Sequence, residues 1–416
     1  MKFYFQKYKY PVYLIAIAAI WLVLVTIVMQ LQHQVFIFGD SKSYLIAAQE
    51  LFLEHKLNSQ RPVVISFING FPLLLSCSKS VLFGWSLFVN LVCWFATILL
   101  IFQISKEKVP SRIAFLLSLV FIFCIGNLFI VFHLLSETIF IFVLTLVFYL
   151  LQKYCNTKKI LFLIASLFLL VLAIMIKPLS LGLFFVVVIS FYSQWKSIFF
   201  SKYSALIYVA FYLLFFQMNG LKKQYGNFTV SYIDSFTYYN YLGTRAYCLQ
   251  NNTDYNKGIN DRVDRFSSLT DSNQKKVASE DLRLQLKANK LNLIKAYGIN
   301  LVTNATKGSA SVFGCENILK TSYFNYCLYL FKVISKLQNI IFTLLGLLLA
   351  SYFLIQRRGE IYDKMISFVI FYIIFVSAIS SDQGDRFHIV VYPLILILFA
   401  KFISKKITSF SEPLQK

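Results

Sequence analysis

Charge is what this chain has least of. Only 14% of its 416 residues are Asp, Glu, Lys or Arg, while 58% are hydrophobic. A soluble domain of this length cannot cover itself with so few charges, so that class is excluded. A membrane supplies the alternative: a spanning helix takes roughly 20 mainly apolar residues, and such runs recur along the chain. Acidic residues are the scarcer kind, 18 against 40 basic ones. Four histidines stand too far apart in sequence for a metal cluster. The cysteines (Cys77, Cys93, Cys124, Cys155, Cys248, Cys315 and Cys327) form no CxxC or related spacing, which excludes zinc and dithiol modules. Several lie in apolar runs, where Cys behaves as a small hydrophobe; Cys248 and Cys315 share one polar segment and could pair. No Gly-rich phosphate loop is present, and no internal repeat of the kind many transporters carry.

What is present is an all-α pattern. A window of roughly 19 residues gives about ten transmembrane helices, near 11–31, 81–104, 113–132, 137–152, 159–176, 179–194, 203–218, 338–356, 365–380 and 388–403. The first begins after Lys2, Lys7 and Lys9. It is too long for the apolar core of a signal peptide and no small-residue cleavage site follows, so it reads as an uncleaved span. Lys106, Lys108 and Arg112, then Lys153, Lys158 and Lys159, Lys196 and Lys202, Arg357, Arg358 and Lys364, and Lys401, Lys405 and Lys406 all fall on the side of the N-terminus. Basic loops mark the cytoplasmic side. The expectation is a multi-pass protein of the cell membrane with a cytoplasmic N-terminus. The net charge of +22 is then a topology signal and not a nucleic-acid one, with membrane lipid head groups as partners for the rest.

Three parts follow: an N-terminal membrane module, 1–218, with a first outward loop at 32–80; an outward polar segment, 219–322; and a C-terminal membrane module, 323–416. Within the polar segment the spacing predicts a helix over 277–297, stopped by Gly298. Residues 323–337, interrupted by Lys332 and Lys336, read as an interfacial helix leading to the next span. Glycosylation tripeptides begin at Asn227, Asn251 and Asn304.

The polar residues at span ends on the outward side carry the chemical candidates. Asp40, in Gly39-Asp40-Ser41-Lys42-Ser43-Tyr44, precedes an amphipathic stretch over 41–56. It can cap that helix, serve as a general base, or do both; a partly desolvated carboxylate would have a raised pKa that suits a base. Arg61-Pro62 offers either a phosphate fork or an arginine reaching to the interface. Ser136-Glu137, beside His133, is either a solvated turn or a second polar contributor. Lys177-Pro178, between two apolar runs, must reach water or meet an anion. In Asp385-Arg386-Phe387-His388, Arg386 either reaches a phosphate or pairs with Asp385. Asp40, Glu137 and a water could hold a divalent cation together with substrate phosphates.

In order and placement these motifs resemble the multi-spanning GT-C glycosyltransferases, which include mannosyl- and arabinosyltransferases using lipid-phosphate sugars. Gly39, Asp40 and Tyr44 follow the first span, Ser136-Glu137 opens the fourth, Lys177-Pro178 ends the fifth, and Arg386, Phe387 and Pro393 open the last. The stretch 287–307 is similar to the outward helix of these enzymes, without its usual His-Pro or Asn-Pro. The resemblance implies a transferase moving a sugar, with inversion, from a polyprenyl-phosphate donor to a glycan, lipid or protein acceptor at the outer membrane face. Asp40 would be its catalytic base. Tyr44, Arg61, Glu137, Lys177, Arg386 and His388 would contact substrate, with Lys177 and Arg386 on the donor phosphate. Lys177 departs from the commoner arginine and supplies a point charge in place of a fork. A lipid-linked saccharide flippase and a polysaccharide polymerase or ligase are the competing readings.

Overall fold

The computed structural model describes residues 2–34, 40–256, 260–356 and 359–411, and all regular structure among them is helical. Six helices are long and apolar enough to cross a membrane, or eight if each of two bent pairs forms one span. The expected ten runs all lie in helices, but not all are full spans. Ile160–Ile174 and Ile361–Ser377 have 15 and 17 residues, about 22 and 26 Å of helix at ~1.5 Å per residue. Ser111–Ile122 and Ile125–Phe132 meet at 63°. The break has a polar cause of the kind that bends helices: the Gln338 amide donates to Phe123 O at 2.8 Å and accepts from Ile125 N at 2.9 Å. Both frayed ends are thus satisfied by one side chain from a distant helix.

The centre of the bundle is the helix Glu137–Thr157, which packs against Lys79–Ser105 and Ile160–Ile174. Its apolar residues are buried on nearly every face, as expected of a helix surrounded by other helices. Asn90 donates to Val131 O at 3.0 Å and His133 O at 2.9 Å, which ties down the turn leading into Glu137. The last helix begins as the 3-10 turn Gly384–Val391 and continues as Tyr392–Ser411.

Two expected boundaries are corrected. The helix over 277–297 is two helices, Asp271–Ala288 and Lys290–Thr306. Asn289 breaks them, with its amide spent on Ala246 O at 3.2 Å. Gly298 lies inside the second helix, in open space, and stops nothing. Residues 323–337 are no separate interfacial helix: Phe324–Ile355 runs unbroken for 32 residues, because Lys332 and Lys336 interrupt hydrophobicity without interrupting backbone hydrogen bonding.

The polar segment has its own small core. Tyr239 stacks on Phe266 at 4.1 Å, and Arg262 lies over the Tyr239 ring while pairing with Asp281 at 2.6 Å. Asparagines fasten it to the membrane part. Asn300 donates to Ala378 O at 3.0 Å, and Asn304 to Ser377 O at 2.9 Å and Ser380 O at 3.1 Å. These bonds satisfy carbonyls left over at a helix C-terminus. They also remove one glycosylation tripeptide, since Asn304 is fully buried. All seven cysteines are free; Cys248 sits against Asn260 and Cys315 against Ser311 O, so the suggested pairing is not made.

Candidate functional site

One end of the central helix closes around five charged side chains drawn from five separate stretches of sequence. Glu137 is the hub. Its Oε1 accepts from Lys177 Nζ at 2.8 Å and from Arg386 Nε at 2.8 Å. Arg386 Nη1 continues to Asp40 Oδ2 and to Gln383 Oε1 at 3.1 Å. The other Asp40 oxygen pairs with Arg61 Nη2 at 3.1 Å. Arg61 also donates to Ser43 Oγ at 2.8 Å and lies over the Tyr44 ring at 4.2 Å. Tyr44 in turn donates to Ser136 Oγ at 2.9 Å. Three cations face two carboxylates, leaving one positive charge in excess.

Each local structure explains its side chain. Asp40 occupies the N-cap position of the helix Ser41–Leu53, but in helical dihedrals and with no side-chain capping bond. Its carbonyl accepts from Ser43 N at 3.0 Å, while its carboxylate turns to the arginines. The expected capping role is therefore corrected: an N-cap carboxylate gains about 1 kcal/mol from backbone donors, whereas two guanidiniums offer stronger, charge-assisted bonds. Gly39 lies outside the described residues. Lys177 precedes Pro178 in the tight turn between Ile160–Ile174 and Ser180–Ser190, and its Nζ stands 5.3 Å from the Phe387 ring centroid.

The pKa expected for Asp40 is also corrected. Burial alone would raise it, but the Arg386 and Arg61 guanidiniums outweigh burial and hold the carboxyl below the usual carboxylate range. Burial lowers Lys177 despite its Glu137 partner.

These residues line a cavity of about 710 Å³ that also takes in Pro178, Leu179, Leu181, Tyr372, Val376 and Phe387 from the membrane part, and the 229–242 stretch of the polar segment. This is within the size range of small-molecule sites. The cavity brings together Asp40, Tyr44, Arg61, Glu137, Lys177 and Arg386. His388 stands apart. It is fully buried between Thr343, at 2.8 Å from Nδ1, and Ser377, at 3.1 Å from Nε2. In a 3-10 turn side chains two residues apart point about 120° from each other, and here Arg386 faces the cavity while His388 faces the core. Asp385 does not pair with Arg386; it is buried against Gly126.

Sequence reasoning missed Gln383 and Tyr241. Gln383 links the two halves of the cavity, accepting from Arg386 and donating to Tyr241 Oη at 2.8 Å. No local pattern marks a contact across 142 residues. Nor do the carboxylates form a cation cage. Among the described residues no three of His, Cys, Asp and Glu stand together. Both Asp40 oxygens and one of Glu137 are already held by protein cations. The residues present do not fit a protein-held divalent ion.

No protein-family model matches the chain, and no curated protein matches it. Among solved structures, it is similar to the archaeal oligosaccharyltransferase AglB from Archaeoglobus fulgidus, in complex with an inhibitory peptide and a dolichol-phosphate, at 11% identity and a TM-score of 0.44. The match covers 98% of this chain and 51% of that one, so this chain spans about half the length of the structure it matches.

Proposed function

We propose that this chain is a membrane glycosyltransferase of GT-C type that moves a sugar from a polyprenyl-phosphate donor to an acceptor hydroxyl, with Asp40 as general base. The observation that carries the reading is the meeting of Arg61, Lys177 and Arg386 with an apolar wall in one cavity. A lipid phosphate needs both: cations for the head group and an apolar surface for the first isoprene units. One surplus positive charge suits the single negative charge of a phosphodiester-linked sugar. The sequence resemblance supports the same reading, as do the apolar spans that would keep the enzyme beside such a donor.

In the proposed reaction the acceptor oxygen bonds to the anomeric carbon as the bond from that carbon to the phosphate oxygen breaks. The acceptor proton passes to Asp40, and the polyprenyl phosphate leaves on the cations, whose role is to stabilise charge that grows in the transition state. Direct displacement inverts the anomeric carbon. Asp40 in the free protein is a weak base because the arginines hold it. A donor phosphate taking over Arg61 and Arg386 would release it and raise its affinity for a proton, so base and donor arrive together.

That coupling has a pH signature. Profiles of kcat/KM report the free enzyme and those of kcat the substrate complex. Asp40 is held below the ordinary value of about 3.9, so the acid limb of kcat/KM lies below that pH. The limb of kcat lies above it. Coincident limbs would contradict the exchange of partners. The donor assignment itself is tested by titrating purified protein with a polyprenyl phosphate: saturable binding lost in Arg61→Gln supports it, and absence of binding to the wild-type chain overturns it.

A further inference from the structure

The cavity has a third wall that the donor does not use. It comes from the polar segment, over 229–242 and 278–282, and contributes no lysine or arginine among its lining residues. Half of the fourteen residues it contributes carry hydroxyls, including Ser231, Thr237, Tyr238, Tyr241 and Ser279, and one, Asp234, carries a carboxylate. The wall thus contrasts with the cationic floor it faces: neutral donors and acceptors, aromatic rings and one acid.

The two tyrosines are held in place. Residues Tyr238–Gly243 form a π-helical turn, an arrangement that recurs at functional sites. Tyr238 Oη donates to Asp281 Oδ2 at 3.0 Å, and Tyr241 Oη accepts from Gln383 Nε2 at 2.8 Å. Through Gln383 the wall connects to Arg386, and through Arg386 to Asp40. A molecule lying on this wall would share the cavity with Asp40 and with the phosphate cations.

We infer that this wall is the acceptor subsite and that the acceptor is a neutral saccharide. A polyhydroxylated ligand matches a row of hydroxyls, and its apolar ring face matches a fixed tyrosine. An anionic acceptor would find no lysine or arginine lining the wall, and the one nearby cation, Lys275, is already paired with Asp234 at 3.5 Å. This inference rests on the donor reading above and deepens it by naming the acceptor's chemistry.

The test uses the full-length detergent-purified chain. Its probes are methyl hexosides and neutral disaccharides, read by saturation-transfer NMR; a serine- and asparagine-containing tetrapeptide; and a polyprenyl phosphate titrated separately. The wild-type chain shows saturation transfer to a saccharide. The double variant Thr237→Val with Ser279→Ala removes two hydroxyls from accessible positions and weakens saccharide binding about tenfold, as the loss of two hydrogen bonds of ~0.5–1.5 kcal/mol each implies. Its polyprenyl-phosphate affinity stays within about twofold, since the cationic floor is untouched. Saccharide affinity unchanged in the double variant overturns the inference, as does binding of the tetrapeptide in place of any saccharide; polyprenyl-phosphate binding then still stands for the donor reading. Saccharide binding that depends on the wall, in a chain that binds no polyprenyl phosphate, removes the donor reading and keeps the wall as a saccharide site.

Discussion

The helix Glu137–Thr157 carries a charge cluster at each end, and the two differ in how far water reaches their central acid. At one end Lys153 pairs with Glu107 at 2.6 Å, while Lys108 and Lys401 share Glu360. There burial is mixed: the Glu360 side chain is 54% exposed and Glu107 20%, while Asp363, 3.9 Å from Lys401, is 2% exposed. At the other end the Glu137 side chain is 2% exposed, Arg386 8% and Lys177 12%, with only Asp40 more open, at 38%. About 24 Å of helix separates them, at ~1.5 Å per residue over sixteen residues. Exposed pairs contribute little and are screened by salt. Buried charges cost solvation that only close, complete pairing offsets. The first end pairs its three lysines with Glu107, Glu360 and Asp363, and water reaches the outermost of these acids. The second must balance its own, and does so with one cation left over for a ligand.

The comparison sets the size of each expected loss. Arg386→Ala removes the residue that joins Glu137 to Asp40 and leaves a buried carboxylate with Lys177 alone. It should destabilise the fold by about 3–5 kcal/mol, seen as a large drop in the thermal midpoint in detergent; a midpoint shift no larger than that of an exposed pair would erase the distinction between the ends. Asn304→Ala, on the same side, removes the side-chain donor to the Ser380 carbonyl and leaves Ser377 O with the Ser380 N–H alone; it should cost about 1–3 kcal/mol. That variant would sharpen the comparison, because it tests burial without changing charge. Glu107→Gln breaks the part-buried Lys153 pair, whose side chains are 20–31% exposed. It should cost about 0.2–1 kcal/mol, vanish at high salt and leave polyprenyl-phosphate binding unchanged; an effect on that binding would mean the two ends are coupled along the helix.

Much of the architecture was legible because the membrane demands long apolar runs and basic loops. The all-helical class and the position of every apolar run came from that demand. What failed was tied to single side chains acting at a distance. Gln338 bends a span it does not belong to, and Asn289 breaks a helix whose spacing continues past it. Lys332 and Lys336 read as an interruption only because hydrophobicity is silent about backbone hydrogen bonds. In the cavity, the span ends put Asp40, Glu137, Lys177 and Arg386 on one side. Which oxygen meets which nitrogen was not legible. Asp40 reads from the sequence as a cap, a base with a raised pKa, or both; it makes no capping bond and is held low between two arginines. His388 was grouped with Arg386 through nearness in sequence, and the 3-10 turn sends it into the core. Gln383 and Tyr241 needed tertiary contact to be seen at all.

The most direct test of the central claim is sugar transfer by Asp40→Asn, in membranes supplied with a polyprenyl-phosphate sugar, alongside its affinity for the polyprenyl phosphate. Asparagine keeps the size of the side chain and removes the proton acceptor. The account predicts that donor binding persists while transfer falls by about 10²–10⁴-fold, the usual contribution of a positioned base. Transfer at the wild-type rate would contradict it.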